Sequence, residues 1–136
     1  MTAGGGRGNA PPLLTVALSV VTGENKFSQP LITARPGQRV EITFTNSDDM
    51  QHNVVVFKRG DMATYEKELI ASMNDPRAQA RGYIPDTPSV LFSMPLVNAR
   101  QSGVLSFDAP TEPGEYPFVC SFPGHWVTMR GVLKIE

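Results

Sequence analysis

Cysteine and histidine are scarce in this sequence, with one Cys and two His among 136 residues. One cysteine excludes an intramolecular disulfide, a Cys-x-x-Cys redox pair and a cysteine-rich zinc site. Two histidines exclude, within one chain, any site that needs three imidazoles. Net charge is also nearly absent: 12 Lys+Arg stand against 13 Asp+Glu, leaving -1. With no basic excess to neutralise a phosphate backbone, nucleic acid is not an expected partner. No apolar run approaches the ~18 residues of a membrane span, so none is expected. The length suits one domain with a substantial core.

Glycine and proline, by contrast, are plentiful at 12 each, which favours frequent turns over long helices and a mostly β chain. Residues 1–12, MTAGGGRGNAPP, carry no hydrophobic pattern and read as a disordered tail or linker. The domain is expected over residues 13–136. Arg7 followed by the apolar stretch from Leu13 to Val21 imitates a secretory signal. However, Leu14, Val16, Leu18 and Val20 alternate with Thr15, Ala17 and Ser19, which is the period of a strand. Further strands are expected over 27–34, 39–46, 52–57, 90–94, 103–107, 115–120 and 131–135. The β pattern lapses after Phe57. There Met62, Tyr65, Leu69 and Met73 share a helical face, Asp61 offers an N-cap, and Asp75-Pro76 stops the run. These methionines read as packing groups. Seven or eight short strands and one inserted helix predict an all-β, two-sheet Greek-key sandwich.

The informative segment is YPFVCSFPGHWVTMRG, residues 116–131, where Cys120, His125 and Met129 stand as Cys-x4-His-x3-Met between two strands. The turn signal Phe122-Pro123-Gly124-His125 can fold this loop back on itself. The other histidine, His52, opens the dense run HNVVVF just after a polar loop. A lone Cys is most often a buried structural thiol, and a lone Met a core residue. Here, though, the only Cys and both His fall in two segments that one site could join. Two imidazoles, a thiolate and a thioether lack hard oxygen donors. That set suits one copper ion in both oxidation states, nearly trigonal His2Cys with a weak axial Met, better than zinc.

The segment CSFPGHWVTMRG resembles the copper loop of azurins within the cupredoxins, the blue copper proteins, and Met50-Gln51-His52-Asn53 resembles their upstream ligand region. The ligand spacing is similar to that of azurins and auracyanins, and the likeness spans about residues 13–136. It implies a cupredoxin-like sandwich, a type 1 copper cycling between Cu(II) and Cu(I), and one-electron transfer between transient redox partners. It also implies that His52, Cys120 and His125 are equatorial ligands and Met129 the axial one. Around them, Asn53 would tie the ligand loops together, and the Phe122 amide would bond to the sulfur. Gln51 stands where azurins have Gly. The azurin disulfide is impossible here, and Pro117 implies an edge or irregular ladder.

Phe122, Pro123 and Trp126 are expected to form an apolar docking patch around an exposed edge of His125, suited to partners that leave quickly. An enzyme is not expected, because copper enzymes with type 1 sites need further histidines. A metal-free thiol enzyme fits the strand-loop-strand context and the Met poorly. A copper storage or delivery module is the alternative function. The resemblance implies a periplasmic or extracellular location, and the chain also suits one domain of a longer multidomain redox protein.

Overall fold

The computed structural model describes residues 11–136, so most of the expected tail lies outside the described residues. From Pro12 onward the chain is tied down, since the Pro12 carbonyl accepts a 2.7 Å hydrogen bond from Gln38 Nε2. Nine strands follow in order: β1 (Leu14–Val21), β2 (Lys26–Phe27), β3 (Leu31–Ala34), β4 (Arg39–Thr45), β5 (His52–Phe57), β6 (Val90–Val97), β7 (Ser102–Asp108), β8 (Gly114–Val119) and β9 (Arg130–Ile135). The helix α1 (Met62–Met73) lies between β5 and β6. One sheet has the order β2-β1-β4-β7 and the other β3-β9-β8-β5-β6. The fold is the expected two-sheet sandwich with one short helix.

Alternation decides which faces meet. Val16, Leu18 and Val20 of β1, Val40, Ile42 and Phe44 of β4, and Leu105 and Phe107 of β7 turn inward. They meet Val54, Val56, Phe118, Leu133 and Ile135 from the second sheet. Side chains on one face recur every second residue, so the opposite faces stay polar. β5 breaks this rule, with all six residues buried. Val54 and Val56 belong to the core between the sheets. Val55 and Phe57 pack outward, with Val119 and Trp126, against Tyr65 and Leu69 of α1. Covering both faces explains why this strand reads as an unbroken apolar run. The helix starts as expected, with Asp61 Oδ1 accepting from the Ala63 amide at 3.1 Å.

One expectation needs correction. The strand expected over 27–34 is two strands in different sheets, β2 beside β1 and β3 beside β9. Pro30 lies in the gap between them and cannot donate to a ladder. The Ser28 amide bonds to Ser19 O at 2.7 Å, and its hydroxyl accepts from the Ser19 amide at 2.9 Å. These bonds pin β2 to β1 before the chain crosses. At Pro117 the ladder is irregular, as expected, although β8 lies inside its sheet, between β9 and β5. The β5 ladder reaches only Val119 and Phe118, so it ends before Pro117 and never requires its missing N–H.

Candidate metal centre

Cys120, His125 and Met129 sit in the connection from β8 to β9, and its backbone closes on itself. The Cys120 amide donates to Met129 O at 3.0 Å, the His125 amide to Phe122 O at 2.9 Å, and the Met129 amide to His125 O at 2.8 Å. Gly124 makes the turn with φ 82°, a left-handed conformation that costs a β-carbon-bearing residue more. His52 arrives from the other side, as the first residue of β5.

One donor atom from each of His52, Cys120 and His125 lies within 4.8 Å of the other two, and all three residues are buried. The Nδ1 atoms of both imidazoles stand 3.7 Å from Cys120 Sγ. The rings lie 4.9 Å apart, centroid to centroid. Such a cluster can hold one metal ion. Met129 is also fully buried, in the same core cluster as Cys120.

The surroundings fix this arrangement. The Asn53 amide points at Cys120 Sγ from 3.5 Å. Its side chain bridges the two ligand segments, with Oδ1 accepting from the Ser121 amide at 2.8 Å and Nδ2 donating to Ser121 Oγ at 2.9 Å. Nδ2 also donates to Gly82 O at 3.1 Å. Gly82 and Tyr83 both adopt left-handed φ, 61° and 62°. This turn brings the Tyr83 ring edge-on to Phe122 at 5.3 Å, and Phe122 in turn packs on the His125 ring at 4.6 Å. Gln51 faces away, with its exposed side chain donating to Asn98 Oδ1 at 2.7 Å.

Electrostatics follow from burial. The apolar surroundings push the Cys120 thiol up to about 11, against the opposing pull of the Asn53 and Phe122 amides. Burial first, and the charge of His52 second, lower His125 to about 4, while Asp48 acts in the opposite sense. At neutral pH the site therefore presents a thiol and a neutral His125 lone pair. Metal capture must expel the thiol proton. Two soft or intermediate nitrogen donors around one sulfur, with amides aimed at that sulfur, fit copper by the chemistry of the donor set.

One expectation fails. Trp126, expected on the surface, is 5% exposed and sits in the outer core with Tyr65 and Leu69. The turn of the loop directs the indole beneath the helix, where its large apolar area is better buried. Arg130 locks it there, donating from Nε to Trp126 O at 2.9 Å and pairing with Glu66 of α1 at 3.2 Å. His125 also keeps only 5% exposure, against 0% for His52. Phe122 and Pro123 are half-buried, and Val127 is exposed.

Two residues that sequence patterns do not single out complete the site. Asn46, fully buried, donates to Met50 O at 2.7 Å and Val97 O at 2.9 Å and accepts from the Asp48 amide at 3.0 Å. Asp48 Oδ2 lies 3.1 Å from His52 Nε2. The Asp49 amide above all, with help from His52, holds the Asp48 carboxyl below its ordinary range, against the opposing effect of burial. An ionised carboxylate only accepts, so His52 Nε2 is the donor and its Nδ1 lone pair faces the sulfur.

A family of copper binding proteins, the plastocyanin/azurin family, matches residues 14–136, and the chain belongs to it. Within that family it is similar to the auracyanins of Chloroflexus aurantiacus. It is 31% identical to auracyanin-A over 125 residues, covering 90% of this chain and 75% of that protein. Against auracyanin-B the identity is 29% over 134 residues, covering 93% of this chain but 54% of that protein. The solved structure of auracyanin A, described as a "blue" copper protein, superposes with a TM-score of 0.82 at 27% identity, over 92% of this chain and all of that one. The chain thus spans about half the length of one auracyanin and three quarters of the other.

Proposed function

We propose that this chain is a type 1 copper protein that carries single electrons between transient redox partners. The observation that carries the reading is the convergence of the only Cys and both His, with each Nδ1 3.7 Å from Sγ. His52, Cys120 and His125 would be the strong ligands, and Met129 the weak axial one. The bound copper would supply a one-electron Cu(II)/Cu(I) couple. What the protein adds is a fixed frame. Asn53 and the loop's backbone bonds hold the donors where they stand, so a change of oxidation state meets little rearrangement. Nothing in this role requires a substrate, and we read the chain as a carrier, not an enzyme.

Phe122, Pro123 and the exposed Val127 would form the apolar surface next to His125 through which electrons pass. Trp126 instead supports that surface from below. Among the described residues no helix is long and apolar enough to cross a membrane. The family resemblance supports work in the periplasm or outside the cell. It also supports residues 13–136 as the copper-binding domain, with residues 1–12 as tail or linker.

The test is a redox cycle. Copper-loaded protein should lose its visible colour on adding ascorbate and regain it with an oxidant, over repeated cycles without loss of metal. Release of the metal on reduction would favour the storage or delivery reading, and that outcome would refute electron carriage.

A further inference from the structure

His52 is the more deeply buried of the two imidazoles, and its second nitrogen is not left to solvent or to a backbone carbonyl. It meets a carboxylate, Asp48 Oδ2, at 3.1 Å. The Asp48 side chain is itself only 11% exposed. Asp48 is held by three hydrogen bonds, two of them to its carboxylate. Its own amide donates to Asn46 Oδ1 at 3.0 Å, its Oδ1 accepts from the Asp49 amide at 2.8 Å, and its Oδ2 accepts from His52 Nε2 at 3.1 Å. Asn46 anchors the turn to Val97 at the end of β6. An acid buried to this degree, with no ion pair to Lys or Arg among the described residues, has to be balanced by something else. Among the described residues, the only positively chargeable partner it touches is the imidazole.

We propose that Asp48 is a positioning residue for the metal centre, which fixes the His52 ring with Nδ1 free for the metal and, through its negative charge, favours the more highly charged oxidation state. This rests on the copper reading above. A hydrogen bond from a ligating imidazole to a carboxylate sets the ring's tautomer and raises its basicity, and loss of such outer partners costs about 10–100-fold in metal affinity. A more basic ligand with a nearby negative charge stabilises Cu(II) more than Cu(I), because the interaction scales with the metal's charge. His125 has no such partner among the described residues, so the two imidazoles are unequal donors by construction.

Two variants and two readouts test this. Asp48→Asn keeps the shape and an accepting oxygen but removes the charge. Its Cu(II) affinity should fall about tenfold more than its Cu(I) affinity, which spectroelectrochemical titration reads as a potential raised by about 59 mV for a one-electron couple. Asp48→Ala removes the acceptor as well. In the metal-free protein, 15N correlation spectra should show His52 protonated at Nε2 in the wild type and a tautomer mixture in Asp48→Ala. An unchanged potential in Asp48→Asn would overturn the proposal, as would an unchanged His52 tautomer in Asp48→Ala. If the wild type binds Cu(II) without colour, the copper reading fails instead, and the metal-free spectra still decide whether Asp48 orients His52.

Discussion

The two segments that supply the candidate ligands are braced by opposite physics. The loop of residues 46–52 is held by polar contacts: Asn46 makes three side-chain hydrogen bonds, and Asp48 grips the His52 ring. The loop of residues 120–129 is held by its own backbone bonds and by apolar burial, with Met129 inside the sandwich and Trp126 under α1. Asn53 is the tie between them. A polar brace sets the electrostatics of the nitrogen it holds. An apolar brace sets position while leaving the adjoining surface free to meet a partner. The site thus combines one imidazole tuned from within and one placed near the outside.

The sharpest way to break the apolar brace is Trp126→Ala. It should cost about 3–5 kcal/mol of stability, the usual range for emptying a buried aromatic site. Denaturant unfolding of the metal-free protein would read the loss, and Trp126→Phe should recover most of it. The polar brace should give a smaller effect on stability. Asn46→Ala removes the buried side-chain bonds to Met50 O and Val97 O and should cost about 1–3 kcal/mol. It should also disturb the His52 ring signals more than those of His125, whereas Trp126→Ala should do the reverse.

Acid probes both braces at once. His125 has its folded-state value lowered to about 4, so the folded metal-free protein binds fewer protons than the unfolded chain between that value and the ordinary 6.5. Stability is therefore full above about pH 6.5 and falls as the pH drops towards 4, by about 1–3 kcal/mol. Asp48, also lowered, adds to the loss in the same direction at lower pH. Urea midpoints measured from pH 7 to pH 4 should decline, and loaded protein should resist until protons displace the metal. The smallest effect is expected for Met129→Leu. That change conserves volume and costs less than about 1.5 kcal/mol. It should keep the colour and raise the potential, since loss of a weak axial donor disfavours Cu(II). If colour is lost, Met129 is not a weak ligand.

The two loops also differ in how far their sequences disclose them. Cys120, His125 and Met129 are legible because rare, soft donors recur at short spacing between two strands, and His52 because it is the only other imidazole. Asn53 is legible through the family likeness. Asp48 is not, since an Asp in an Asn-Ser-Asp-Asp run is what any solvated turn contains. Its only signal is its place four residues before a histidine. Trp126 misleads for a related reason: in a loop two residues after Gly124 it looks exposed, and only the path of α1 across the outer face of β5 shows what covers it. The unbroken apolar run of β5 hints at that second face. The split of β2 from β3 is likewise a long-range matter. Pro30 marks a break and β2 pairs locally with β1, but the crossing between sheets follows from the pairing of β3 with β9, which lies far away in sequence.

The most direct test is to titrate metal-free protein with Cu(II) while recording the visible spectrum. The wild type should develop an intense band with an end point at one ion per chain, because a buried thiolate bound to Cu(II) gives strong charge transfer. Cys120→Ser should develop none. A colourless stoichiometric adduct of the wild type, or a band of equal strength in Cys120→Ser, would contradict the account.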